Sequence, residues 1–77
     1  IINQIDKNYT LDLSNSNIGT KEAAEIAEIL CTNTTLHTLN LSFNDVGLME
    51  LTKISKSLCI NKTLHTLDLH DNNIELE

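Results

Sequence analysis

Asp68, His70 and Asp71 form the stretch of this chain whose residue types most suggest chemistry. Residues two apart on a strand share a face, so Asp68 and His70 stand side by side, with Asp71 just beyond. An imidazole beside two carboxylates has the donor set of a metal ligand. A metal centre needs three or four convergent ligands, however, and the rows expected beside this one supply Thr and Ser. The cluster therefore reads as solvated, partner-facing surface. No metal, cofactor or catalytic residue is assigned to it, and the chain is not read as an enzyme.

Two other pairs invite the same question. His37 and His65 lie 28 residues apart and flank a strand at a variable position, which makes them surface residues. Cys31 and Cys59 occupy matching places just after helical stretches. Packed helices are about 8–10 Å apart, whereas a disulfide needs Cα atoms within about 7 Å. Both thiols are therefore expected to be free, which favours a reducing, cytoplasmic location. Neither stands in evident relation to a base, and apolar helix neighbours would not depress a thiol pKa, so both read as inert. Four Asn-x-Ser/Thr sequons begin at Asn8, Asn33, Asn40 and Asn61. In a chain rich in Asn and Thr, with free thiols expected, they read as coincidence.

The elements that place these residues are set by an internal repeat. Slid by 28 residues, 11–38 falls on 39–66 with 13 of 28 positions identical, from Leu11/Leu39 to Thr38/Thr66. Residues 1–10 read as the end of a preceding repeat, with 1–3 as its last helical turn. Residues 67–77 read as the start of a third, truncated repeat, so the chain is expected to be a slice of a longer array. A fixed period of this length marks a stacked architecture. Each repeat changes period halfway. Thr10–Ser14, Thr38–Ser42 and Thr66–His70 alternate apolar and polar, as strands do. Residues 20–31 place Ala23, Ile26, Ala27 and Leu30 at helical spacing, and 48–59 do the same with Leu51, Ile54 and Leu58. Gly19 and Gly47 precede these helices, and Glu22 and Glu50 sit three residues inside, where a carboxylate suits the free amides. Glu25 and Glu28 on the first helix correspond to Lys53 and Lys56 on the second, so opposite charges are expected to face each other.

Leu36-x-x-Leu39-x-Leu41-x-x-Asn44-x-Val46 and Leu64-x-x-Leu67-x-Leu69-x-x-Asn72-x-Ile74 resemble the core of the leucine-rich repeat. The 28-residue period with a full helix in each unit resembles the ribonuclease-inhibitor-like subclass, which includes the Ran GTPase-activating proteins and the sensor arms of NOD-like receptors. This resemblance implies an α/β right-handed leucine-rich-repeat solenoid, a horseshoe segment with its parallel sheet on the concave side and its helices on the convex side. Two departures stand in the first repeat. Ser16 replaces the turn asparagine of Asn44 and Asn72, leaving Asn17 to substitute or the turn to loosen, and Asn8 replaces Leu36 and Leu64.

Eleven acids against five bases give a formal charge of −6. That balance disfavours nucleic acid and anionic membranes, which are bound by many Lys and Arg contacts. No apolar run approaches a membrane span. The expected function is protein recognition by an acidic concave sheet, through Asp12, Asn40, Ser42, Phe43, Asp68, His70 and Asp71, with a basic-surfaced protein as partner. Two other readings are a GTPase-activating or similar regulator of a partner enzyme and a purely structural spacer.

Overall fold

The computed structural model describes residues 9–74. Expectations for residues 1–8 and 75–77, including the helical turn at 1–3 and the sequon at Asn8, lie outside the described residues. Five elements follow in order: β1 (Thr10–Asp12), α1 (Thr20–Leu30), β2 (Thr38–Asn40), α2 (Leu48–Leu58) and β3 (Thr66–Asp68). The strands form one parallel sheet in the order β1-β2-β3. Thr10 pairs with Thr38 and Thr38 with Thr66, so the sheet register is the sequence period itself.

The leucines of the strands point to the helices and build the core. Leu11, Leu13, Leu39 and Leu41 are buried with Ile18, Val46 and the helix residues Ala23, Ile26, Ala27, Leu30 and Ile54. The third repeat is covered less. Leu64, Leu67 and Leu69 are half-buried against the core, Ile74 is half-exposed, and Leu58 on α2 is exposed. Leu11 and Leu39 each lie beneath a helix of their own repeat. The described residues include no helix after β3 to cover Leu67 in the same way.

Each strand stops two residues earlier than its alternation predicts. The backbone N–H groups of Ser14, Ser42 and His70 donate to Oδ1 of Asp12, Asn40 and Asp68 at 2.9, 2.9 and 3.1 Å. These side chains take up an N–H at the point where the strand would continue, and the chain turns. Backbone bonds between repeats persist past that point, from Leu13 N–H to Asn40 O at 2.9 Å and from Leu41 N–H to Asp68 O at 2.8 Å. Both helices stop one residue short of the expected bound. Cys31 and Cys59 instead cap them, each N–H donating to a carbonyl three residues back at 3.2 Å.

The following turns are stitched by asparagine. Asn44 Oδ1 accepts the N–H groups of Ser16 and Ile18 in the previous repeat, both at 2.9 Å. Its Nδ2 donates to Leu13 O at 2.9 Å and to Leu41 O at 3.0 Å. Asn72 repeats the arrangement one unit later, reaching Val46 N–H and Leu41 O at 2.9 and 2.8 Å. The first turn is therefore held from the second repeat, and Asn17 is exposed rather than substituting for Ser16. On the helix side, Asn61 Nδ2 donates to Leu30 O and Asn33 O, while Ser57 Oγ donates to Ala27 O at 2.6 Å. The expected pairs of Glu25 and Glu28 with Lys53 and Lys56 do not form. Among the described residues, only His70 makes ion pairs. Exposed long side chains gain too little from pairing to offset the entropy of fixing them.

Glu50 joins the two helix starts. Its Oε1 accepts Gly47 N–H at 2.9 Å, and its Oε2 accepts the Thr20 hydroxyl at 2.8 Å. A Cβ at Gly47 would lie 2.8 Å from that carboxylate, so a larger residue there would have to displace the end of the Glu50 side chain. The Thr20 hydroxyl, with helix amides, holds the Glu50 carboxyl below the ordinary value of 4.5. A depressed folded pKa contributes stability that is present above 4.5 and lost as pH falls through the folded value. Glu50→Gln is therefore expected to flatten the acid limb of stability. Urea midpoints measured at pH 6 and pH 3 check this, with a steeper fall in the wild type.

Candidate functional site

The face of the sheet turned away from the helices carries the residues most available for contact. Thr10, Thr38 and Thr66 form one column across the strands, and Asp12, Asn40 and Asp68 form the next. Asp12 is exposed, while Asn40 and Asp68 are half-exposed. The Ser14 hydroxyl donates to Asp12 Oδ1 at 2.6 Å and, with the Ser14 N–H, holds that carboxyl below its usual range. Asn40 performs the same turn without a charge. The acids are thus not required for the fold at this column, and their charge is free for another purpose.

The third column departs from expectation. Ser42, expected among the contact residues, is 2% exposed and buried. Its hydroxyl donates to Asn40 Oδ1 at 2.6 Å. The equivalent residue His70 is larger and stays out, with its side chain 56% exposed.

Beyond this column the register brings Asn15, Phe43 and Asp71 to one place, and all three are left-handed, with φ of 52°, 56° and 56°. Asn and Asp tolerate that conformation, but a bulky Phe is a true outlier. Phe43 is also 55% exposed, so burial does not offset its strain. A strained aromatic that stays on the surface points to a role outside folding. Phe43→Asn should raise stability by about 1 kcal/mol. A urea midpoint measures it, and a fall would mean that the ring contributes more to packing than its backbone costs.

His70 stands at the centre of this corner. Its Nδ1 is 2.6 Å from Asp68 Oδ1, and its Nε2 is 3.5 Å from Asp71 Oδ2. Its ring meets Phe43 edge to face, with centroids 5.0 Å apart. The hydrogen bond to Asp68 raises the imidazole above its ordinary 6.5, and the same bond lowers the Asp68 carboxyl. The arrangement can hold positive charge on an acidic, aromatic surface. Among the described residues, no group of three or more His, Cys, Asp or Glu is arranged to hold a metal ion.

At the opposite ends of the strands lies a feature that reading the pair His37 and His65 as surface, without Tyr9, missed. Tyr9, His37 and His65 form a ladder of exposed rings, with centroids 5.2 and 5.3 Å apart. The signal was available in the spacing, since 9, 37 and 65 share one register position. The sheet face is therefore bordered by aromatic rings at both ends, with carboxylates between.

Cys31 and Cys59 are free thiols, the first half-exposed and the second exposed. The sequon asparagines serve the fold. Asn33 is buried, Asn61 Nδ2 holds two carbonyls, and Asn40 Oδ1 makes its turn. No helix among the described residues is long and apolar enough to cross a membrane.

A family model described as Leucine Rich repeat matches residues 32–48 and 61–77. The first stretch contains β2 and reaches the first residue of α2, and the described part of the second contains β3. Comparison with curated proteins finds no match.

Proposed function

We propose that this chain, a leucine-rich-repeat protein, is a recognition module of the ribonuclease-inhibitor-like subclass that binds a basic protein surface on its helix-free sheet face. Leucine-rich repeats generally serve protein–protein interaction. Strands lie about 4.8 Å apart while helices need about twice that, so further stacking would bend the sheet inward and make this face concave. One observation carries the reading. Asp12, Asp68 and Asp71 share the face with the exposed ring of Phe43, and no lysine lies in the strands or in the turns that leave them. Exposed aromatics anchor interfaces, and complementary charge speeds encounter and selects partners. The contact set is Asp12, Asn40, Phe43, Asp68, His70 and Asp71, without Ser42. The module acts by binding, and its two free thiols favour a cytoplasmic setting.

The repeats themselves supply the control substitutions. Asn40 makes the Asp12 and Asp68 turn as an amide, and Asn15 adopts the conformation of Phe43 and Asp71. A quadruple variant with Asn at 12, 43, 68 and 71 should therefore keep the fold. Affinity capture from cell lysate compares this variant with the wild type after their circular dichroism melts have been matched. A protein retained by the wild type, lost by the variant and released by salt fits the proposal. Equal retention would overturn it.

A further inference from the structure

His70 touches three residues of the proposed contact set at once. Nδ1 lies against Asp68, Nε2 against Asp71, and the ring edge meets Phe43 from the neighbouring turn. A neutral imidazole has one N–H and can donate to only one side, whereas the imidazolium donates to both. The charged groups facing it are Asp68 on β3 and Asp71 in the turn after it. Phe43, from the turn after β2, brings no charge. Among the described residues no other base pairs with either carboxylate.

Resting on the recognition face proposed above, we infer that His70 is an internal counter-ion that competes with the partner's basic groups for Asp68 and Asp71. Charged, it lies between the two carboxylates and occupies the corner that a partner's Arg or Lys would use. Neutral, it keeps at most one hydrogen bond, releases Asp71 and leaves the charge of Asp68 uncompensated. Its side chain is half-exposed, so it can swing clear without disturbing the core. The raised imidazole pKa places the change above 6.5. Affinity for a basic partner thus increases as pH rises through that range. A simple acidic surface would behave differently, because its carboxylates are already ionised there and would not respond to pH.

The test uses a fluorescein-labelled nonapeptide of alternating arginine and glycine, titrated with the protein at fixed ionic strength from pH 5.5 to 8.5. Wild-type affinity should rise about fivefold over that interval, the effect of removing one unit charge at contact distance in water. His70→Gln should bind more tightly than the wild type at pH 5.5 and vary less with pH. Any remaining slope comes from groups common to both proteins. Equal slopes in the two proteins, with binding abolished by Asp12→Asn and Asp71→Asn together, would overturn the role of His70 and leave the recognition face standing. Absence of peptide binding at every pH would overturn the recognition face, and the inference with it.

Discussion

Leu39→Ala is expected to remove most of the stability of this protein. Leu39 is 0% exposed at the middle of the central strand, paired in register with Leu11 on one side and Leu67 on the other. Truncating a fully buried leucine loses its transfer free energy and leaves a cavity, together about 3–5 kcal/mol. A chain of this size has few buried side chains to absorb such a loss, and small domains hold only a narrow margin. Leu67 offers a control with the same residue type and register position. It is only half-buried, so Leu67→Ala should cost about 1–2 kcal/mol. Urea denaturation of both variants measures the contrast. Equal losses would mean that Leu67 is covered as fully as Leu39 and that the core does not thin toward β3.

Asn44→Ala should rank second, with a cost of about 2–4 kcal/mol. The asparagine accepts two backbone N–H groups from the previous repeat and donates to carbonyls on both sides of the repeat boundary. Removing it strands part-buried donors, and each unsatisfied group costs about 1–3 kcal/mol. Asn44→Asp is a sharper probe, because it keeps the acceptor and turns a second oxygen toward the carbonyls of Leu13, Leu41 and Ser42. It should destabilise at least as much as the alanine at neutral pH. Amide exchange localises the effect. In Asn44→Ala, the N–H groups of Ser16 and Ile18 should exchange faster than those of the core. Uniform acceleration across the chain would instead mean that the asparagine supports global stability without holding this turn.

The architecture was legible because one number, the 28-residue period, governs it. The pairing of Thr10 with Thr38 and Thr66, the alternation that buries Leu11 and Leu39, and the helical stripe through Ile26 and Ile54 all follow from that period and the change of spacing within it. What escaped were competitions between side chains and backbone. Asp12, Asn40 and Asp68 fit a strand by alternation, but their short polar side chains take the next free N–H and end it. Ser42 is buried as well, which reduces the expected contact set by one. Asn44 looked like the keeper of its own turn, because spacing along the chain does not show that its acceptor reaches the repeat before it. The left-handed backbone at Phe43 was hidden for a related reason. Only alignment with Asn15 and Asp71 shows that the position prefers short polar residues. Glu25 and Lys53 show the opposite failure, since matching charges were present and exposure made their pairing too weak to form.

The candidate site was legible as chemistry but not as arrangement. Asp12, Asp68 and His70 share one face, as two-residue periodicity requires, whereas Phe43 and Asp71 follow in the left-handed turns beyond the strands. The contacts that join His70 to Asp68, Asp71 and Phe43 depend on rotamers and on a turn, neither of which the periodicity contains. The Tyr9–His37–His65 ladder was the reverse case, visible in the register but unread because the pair His37 and His65 looked like surface without Tyr9.

Backbone-amide NMR shows whether partners bind the helix-free face of the sheet. The isotope-labelled chain is titrated with the protein that survives the capture comparison, and shift changes are mapped residue by residue. Changes are expected at Asp12, Asn40, Phe43, Asp68, His70 and Asp71, weakening as salt is raised. Changes confined to Lys21, Glu25, Lys53 and Lys56 would place the partner on the helices and contradict binding to the sheet face.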